Sequence, residues 1–188
     1  MKTKFDFAAL AGVLTWLMVY GISIFILQRV QPGQSQWLIH LLFLIYGGLF
    51  IVLTREQSDF GLRGRFGTRL LTLQLLVAFA LLWLLPARQF EFLAILIIIW
   101  AAMLPFVMRT TLAVLVVALV VASWYCIVTW QTGKTMWITA LLYGSFNLFA
   151  VLVQSASRDA EAAKDELEQK HQQLLATQQL LQGASRQS

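Results

Sequence analysis

The stretch Leu93-Ala94-Ile95-Leu96-Ile97-Ile98-Ile99 is apolar at every position. It lacks the alternation of apolar and polar residues that marks a strand of a transmembrane β-barrel. A backbone segment inside a bilayer finds no water for its N–H and C=O groups, so outside a closed barrel it must be helical. The stretch therefore predicts a membrane helix, and we expect an all-α fold.

The composition extends this interpretation to the whole chain. Its 188 residues are 59% hydrophobic and 12% charged, whereas a soluble domain has about 45–50% apolar and about 25% charged residues. Crossing a bilayer takes about 20 apolar residues in a helix. Six runs approach this length: Phe7–Leu27, Trp37–Thr54, Leu70–Pro86, Phe92–Met108, Thr110–Trp130 and Trp137–Val153. We expect a transmembrane domain of six helices over residues 1–153 and a cytoplasmic helix over residues 154–188.

The basic residues predict the orientation of the chain. Eleven of the fourteen Lys and Arg residues lie before the first run, after the second, after the fourth and after the sixth. Because cytoplasmic segments of membrane proteins carry the excess of positive charge, both termini are predicted to be cytoplasmic. The net charge of +5 is thereby interpreted as an insertion signal, and no nucleic acid is expected as a partner.

Few residues in the runs suit catalysis or ligand coordination. Cys126 is the only cysteine, which excludes a disulfide framework and a thiolate metal cluster. His40 follows Trp37 closely and is interpreted as an interfacial residue that reaches water. No catalytic, cofactor-binding or metal-binding residue is predicted. The connections on the outer side, residues 28–36, 87–91 and 131–136, are too short to fold as a ligand-binding domain, so any stimulus must act in the bilayer or at its surface.

The most polar part of the sixth run is Tyr143-Gly144-Ser145-Phe146-Asn147, and Gln154 follows at the predicted cytoplasmic boundary. Ala140 and Gly144 give one helix face a small surface that permits close helix contact. Asn147 is expected to form a hydrogen bond to another helix. Two interpretations stay open, an ordinary helix contact and a signal-transmitting joint; the residues of this joint are Tyr143, Gly144, Ser145, Asn147 and Gln154.

The segment after Val153 is typical of a coiled coil. Val153, Ala160, Leu167, Leu174 and Leu181 recur at one position of a seven-residue repeat, whereas the second seam position holds small or polar residues that include Lys170 and Thr177. Polar seam residues weaken a coiled coil and can specify its register. We expect Lys164–Glu168 and Glu166–Lys170 ion pairs, a helix break at Gly183, and a marginal parallel coiled coil between two copies. A single solvated helix is the alternative.

The sequence of the tail resembles the linker before the dimerisation helix of DesK-type sensor histidine kinases (NarL/DesK class). The residues that carry the resemblance are Lys170-His171-Gln172-Gln173-Leu174-Leu175-Ala176-Thr177-Gln178-Gln179-Leu180-Leu181 and, after them, Ser185-Arg186-Gln187-Ser188. The resemblance implies the membrane sensor region of a two-component system in the bacterial inner membrane. It also implies a homodimer that acts on a cytoplasmic response regulator through a kinase core outside these residues.

Some features of the kinase family are missing from these residues. His171 precedes Gln172 where a phosphoaccepting histidine has an acidic neighbour, so we interpret it as a surface residue. The parent protein is expected to be a histidine protein kinase whose catalytic centre lies beyond this sequence. Two other function classes stay open: a small transporter or half-transporter, and a membrane scaffold that recruits partners through its coil.

Overall fold

A computed structural model describes residues 7–30, 36–58 and 65–187 of the chain. These residues form six α-helices and one short 3-10 helix, without a strand among them. The all-α prediction is confirmed. The helices are α1 (Phe7–Val30), α2 (Trp37–Ser58), α3 (Arg65–Leu84), α4 (Ala94–Val107), α5 (Thr110–Thr132) and α6 (Trp137–Gln187), with the 3-10 turn at Glu91–Leu93.

Five of these helices are long and apolar enough to cross a membrane, which supports a membrane protein. The candidate spans are Ala9–Val30, Trp37–Thr54, Phe66–Leu84, Thr110–Thr132 and the apolar part of α6. The predicted run Phe92–Met108 instead forms a shorter apolar helical segment, Glu91–Val107, which consists of the 3-10 turn and α4. The structure therefore has five candidate spans where the sequence predicts six.

Local signals in the sequence explain where two of the helices end. α3 stops at Leu84, two residues before Pro86, because a residue before proline is disfavoured in the helical conformation. α5 ends at Thr132 and is capped by Gly133, which has a φ of 66° and donates its backbone N–H to the carbonyl oxygen of Thr129 at 2.9 Å. This left-handed conformation suits glycine and is a common helix terminator.

The shortest of the described α-helices, α4, lies at the centre of the bundle. Nine of its 14 residues are buried, and it packs most extensively against α6 and also contacts α1, α2, α3 and α5. A helix that is apolar on all sides is suited to such an enclosed position. The surrounding helices expose large apolar side chains instead, such as Leu119 and Trp130, as expected of a surface in contact with lipid.

Glycines bring α1 and α2 close together. A Cβ atom on Gly47 would lie 2.3 Å from Cζ2 of Trp16, and one on Gly12 would lie 2.3 Å from Cζ of Phe50. The indole N–H of Trp16 also donates to the carbonyl oxygen of Phe43 at 3.1 Å. The two glycines thus leave room for aromatic rings against the neighbouring backbone, the role that small residues have in membrane helix pairs.

Hydrogen bonds at the two ends of the bundle show the direction in which successive helices run. At one end, Arg88 after α3 donates to the carbonyl oxygen of Thr132 at the end of α5. At the other, Thr110 at the start of α5 hydrogen-bonds to Ser155 of α6. Successive helices from α3 onward therefore run in opposite directions. We call the end at which α6 leaves the bundle the exit end.

Candidate functional site

Helix α6 belongs both to the bundle and to the tail. It runs without interruption for 51 residues, a length of about 76 Å. Its first part packs on α4 and α5, whereas every described side chain from Asp159 to Gln179 is exposed. The tail thus continues the sixth run directly, as the sequence predicts. The predicted break at Gly183 is wrong: α6 continues to Gln187, because one glycine costs a helix only about 1 kcal/mol.

Four residues hold α6 at the exit end, and we call Pro105, Thr110, Ser155 and Arg158 the exit clamp. Arg158 donates from Nη1 to the carbonyl oxygen of Pro105 at 2.5 Å. The hydroxyl groups of Thr110 and Ser155 form a hydrogen bond beside it. Since Ser155 and Arg158 lie nearly one turn apart on α6, the clamp ties α6 to the end of α4 and to the start of α5.

Asp159 orients the guanidinium group of Arg158. Its Oδ1 atom accepts hydrogen bonds from Nε at 3.1 Å and from Nη2 at 2.9 Å. The Arg158 side chain is 29% exposed and that of Asp159 is 66% exposed. The ion pair is therefore largely solvated, and its main effect is to aim Nη1 at α4.

Sequence reasoning missed the exit clamp. It used Arg158 only to predict the orientation of the chain. The one available signal is that Arg158 is the first charged residue after the last apolar run. Its partner carbonyl belongs to Pro105, which is 53 residues away in sequence, so only the folded bundle brings the two together.

The predicted joint lies partly inside the bundle and partly on its surface. Tyr143 is half-buried, and its ring meets that of Trp124 edge-on at a centroid distance of 5.6 Å. Gly144 faces Val121 of α5, and an added Cβ would be 3.5 Å from its Cγ1. Ser145 is exposed and donates to the carbonyl oxygen of its own helix at Leu141. Tyr143 and Gly144 are therefore the joint residues at the α5–α6 contact.

Asn147 does not form the hydrogen bond to another helix that the sequence predicts. It is 1% exposed, and its Nδ2 atom donates to the carbonyl oxygen of Tyr143 in its own helix at 2.7 Å. That prediction is wrong because the carbonyl one turn earlier satisfies the amide locally. Its Oδ1 atom and the buried indole N–H of Trp124 have no hydrogen-bond partner. The described part of the bundle thus contains a buried unpaired acceptor on α6 and a buried unpaired donor on α5.

Gln154 and the predicted seam residues lie at and beyond the exit end. Gln154 is half-buried one turn before Arg158. Leu167 and Leu174 are 70% and 64% exposed, and the described seam side chains are all exposed; they are Val153, Ala160, Leu167, Lys170, Leu174 and Thr177. The side chain of Leu181 lies outside those that the structure describes.

One of the two ion pairs predicted in the tail is formed. Lys170 Nζ lies 2.7 Å from Glu166 Oε1, so the most conspicuous polar seam residue already has a partner on its own helix. Lys164 and Glu168 do not form an ion pair within the described tail, and that prediction is wrong. All four side chains of the two predicted pairs are exposed, and solvation leaves only a small gain from pairing in either case, so neither pair need persist.

At the opposite end, His40 is half-buried rather than simply solvated. Its Nδ1 atom lies 2.7 Å from the hydroxyl oxygen of Tyr20, and the Tyr20 ring also contacts Phe43 at 5.1 Å. This polar contact helps to hold α1 against α2. Among the described residues, no three His, Cys, Asp or Glu side chains come together as metal ligands.

No protein-family model, no curated protein and no solved structure matches the chain. The function is therefore inferred from two geometric features: one helix is shared between the bundle and the tail, and four residues fix the point at which it leaves the bundle.

Proposed function

We propose that the chain is the membrane-embedded sensor and signal-transmission module of a two-component sensor histidine kinase. In this function, a change in the bilayer or a membrane-dissolved molecule alters the helix bundle, and α6 passes the change to a dimeric cytoplasmic coiled coil. The observation that carries the proposal is the continuity of α6 from Trp137 to Gln187.

A continuous helix transmits rotation and translation because it has no hinge. Helices kink at proline, at glycine or where a side chain disrupts the backbone hydrogen bonds. Residues 145–182 contain neither proline nor glycine, and they include both the exit clamp portion of α6 and most of the tail. A rotation of α6 inside the bundle is therefore carried into the tail at full amplitude.

The contacts around α6 favour a second arrangement of the bundle. Asn147 Oδ1 and the Trp124 indole N–H are buried without partners, and each unsatisfied group costs about 1–3 kcal/mol. An arrangement that pairs or hydrates these groups would gain part of this free energy. Two packings that differ by a few kcal/mol form the bistable element that a switch requires.

In this proposal α4 is a sixth crossing. Together with the 3-10 turn before it, α4 forms the segment Glu91–Val107, which is about 25 Å long, less than the roughly 30 Å of a hydrocarbon core. The other helices enclose it, so its length need not match the lipid around the bundle. Six alternating crossings would put both termini on one side, and the excess of Lys and Arg favours the cytoplasmic side. The bacterial inner membrane is part of the proposal and follows from the resemblance to sensor histidine kinases.

The tail is proposed to form a parallel coiled coil in a homodimer. Leu167 and Leu174 are exposed on a helix that projects from the bundle, and a second copy would bury them at the seam. The small and polar residues at the other seam position keep this coil marginal. The coil would control a kinase core that follows the tail and phosphorylates a cytoplasmic response regulator.

The proposal is tested by distances between two copies in bilayers. In a Cys126→Ser background, a spin label is placed on Leu174→Cys, and a matched label on Gln172→Cys marks the opposite face of the helix. Dipolar spectroscopy in thin and thick phosphatidylcholine bilayers should give a short distance for position 174 that shifts with thickness, and a longer distance for position 172. The same distribution in both bilayers, or no interchain distance, would contradict the proposal.

A further inference from the structure

A cavity of about 460 Å³ lies between α1, α2, α4 and α6, within the range of about 300–1,000 Å³ that small-molecule sites occupy. Its apolar part includes Phe50 of α2 and Ile98 and Met103 of α4. At the exit end it is lined by the polar side chains Gln154, Arg158 and Glu161 of α6. The cavity therefore combines an apolar interior with a charged mouth, the pattern that an amphiphilic molecule requires.

The charged mouth has unused hydrogen-bonding capacity. Arg158 donates three N–H groups to Pro105 and Asp159, and a guanidinium group has five, so two remain without a described partner. Glu161 forms no ion pair within the described residues. Among the described residues that line the cavity, Arg158 carries the one positive charge and Glu161 the one negative charge. This balance opposes a purely anionic ligand and favours one that has both a negative and a positive group.

We propose that the cavity binds a phospholipid whose headgroup carries a primary ammonium group beside its phosphate, as phosphatidylethanolamine does. One acyl chain lies in the apolar part against Ile98 and Met103. The phosphate accepts hydrogen bonds from the two remaining N–H groups of Arg158, and the ammonium group donates to the carboxylate of Glu161. The lipid site is independent of the proposed signalling function, because lipid binding in the cavity does not require that the tail transmit a signal.

The headgroup must supply the selectivity of this site. Lipid tails are as apolar as the side chains of membrane helices, so moving an acyl chain from the bilayer into the cavity gains no hydrophobic free energy. Charge-assisted hydrogen bonds at the mouth are the stronger interactions available. The site should therefore discriminate between lipids by headgroup more than by chain length.

The test uses the full chain in nanodiscs that hold equimolar phosphatidylethanolamine, phosphatidylglycerol and phosphatidylcholine of the same acyl composition. Native mass spectrometry then identifies the lipid retained after release. We expect retention of phosphatidylethanolamine about tenfold above the other two, the effect of one charge-assisted hydrogen bond. Equal retention of all three lipids, preference for phosphatidylglycerol, or no retained lipid would each overturn the proposal.

Variants of residues that line the cavity test whether the retained lipid is bound there. Glu161→Gln should abolish the preference for phosphatidylethanolamine, whereas Glu168→Gln, an exposed carboxylate seven residues further on, should leave it unchanged. Because Glu161 is exposed, this variant leaves the bundle intact.

Two further variants test the phosphate contact and the apolar part. Arg158→Gln should lower retention of all three lipids, and the matched Arg109→Gln, also at the exit end, should not. Ile98→Trp should fill the apolar part and reduce retention as well. A preference for phosphatidylethanolamine that survives in Glu161→Gln would overturn the assignment of the ammonium group.

Discussion

Arg158 of α6 donates a hydrogen bond of 2.5 Å from Nη1 to the carbonyl oxygen of Pro105, in the last turn of α4. This carbonyl is one of the four at a helix C-terminus that have no partner within the helix. The contact also brings a positive charge to the negative end of the α4 dipole. Because successive residues on a helix point about 100° apart, the bond fixes the rotation of α6 at the exit end.

Replacing Arg158 by glutamine should loosen the exit end. The side chain is partly solvated, so we expect a loss of about 1 kcal/mol in the free energy of unfolding and faster hydrogen exchange at the end of α4 and the start of α5. Hydrogen–deuterium exchange in detergent measures this change. Arg158→Lys should have an intermediate effect, and Arg109→Gln is the control. Exchange as slow as in the wild type would show that Arg158 does not hold α4.

Two adjacent glycines should respond differently to alanine. The Cβ of Gly47→Ala would lie 2.3 Å from the Trp16 ring, which is fixed by its hydrogen bond to Phe43 and by stacking on Tyr20. We expect a loss of about 1–3 kcal/mol from this overpacking. Gly48→Ala meets nothing within 4 Å and should gain about 0.5–1 kcal/mol of helix propensity.

Thermal unfolding of the two glycine variants in the same detergent gives the comparison. Equal effects at positions 47 and 48 would be inconsistent with the close contact between α1 and α2.

Asn147→Leu should stabilise the bundle. The substitution removes the buried Oδ1 atom that has no partner. The Tyr143 carbonyl oxygen loses the Asn147 side chain as a donor but can still accept the backbone hydrogen bond of the helix. We expect a gain of about 1 kcal/mol in the free energy of unfolding and, on the proposed function, a smaller response of the tail to bilayer thickness. The exposed Ser145→Ala serves as the control. A destabilised Asn147→Leu variant would contradict the conclusion that the unpaired Oδ1 atom costs the bundle stability.

If the tail forms the proposed dimeric coiled coil, leucine at two polar positions of the predicted seam should strengthen dimerisation. Lys170→Leu with Thr177→Leu adds apolar area to the seam at the loss of the Glu166–Lys170 ion pair, which contributes only about 0.2–0.5 kcal/mol. We expect tighter dimerisation and, with a kinase core fused to the tail, an output locked in one state.

The control for the seam variant is Gln172→Leu with Gln179→Leu, which adds the same two leucines on the opposite face of the tail. Analytical ultracentrifugation in detergent compares the two variants. Similar dimerisation of both would contradict the assigned seam.

The sequence predicts the class of fold because apolar runs and helix terminators act locally. α3 ends two residues before Pro86, as the steric effect of proline on the preceding residue predicts. The central position of α4 is harder to predict from the sequence, because an apolar run has the same composition whether lipid or protein surrounds the helix. The exit clamp could not be predicted, since Pro105, Thr110 and Arg158 meet only after the bundle has formed. For Asn147 the sequence predicts a contact between helices that the structure lacks. Its side chain instead forms a hydrogen bond within α6, to the carbonyl oxygen of Tyr143.

The projecting part of α6 works as a lever. Beyond Arg158 the helix continues to Gln187, which places its tip about 43 Å from the exit clamp. A tilt of about 10° at the clamp would swing that tip by about 7 Å, more than one helical turn of 5.4 Å. Displacements too small to repack the bundle thus become movements of several ångströms at the tip.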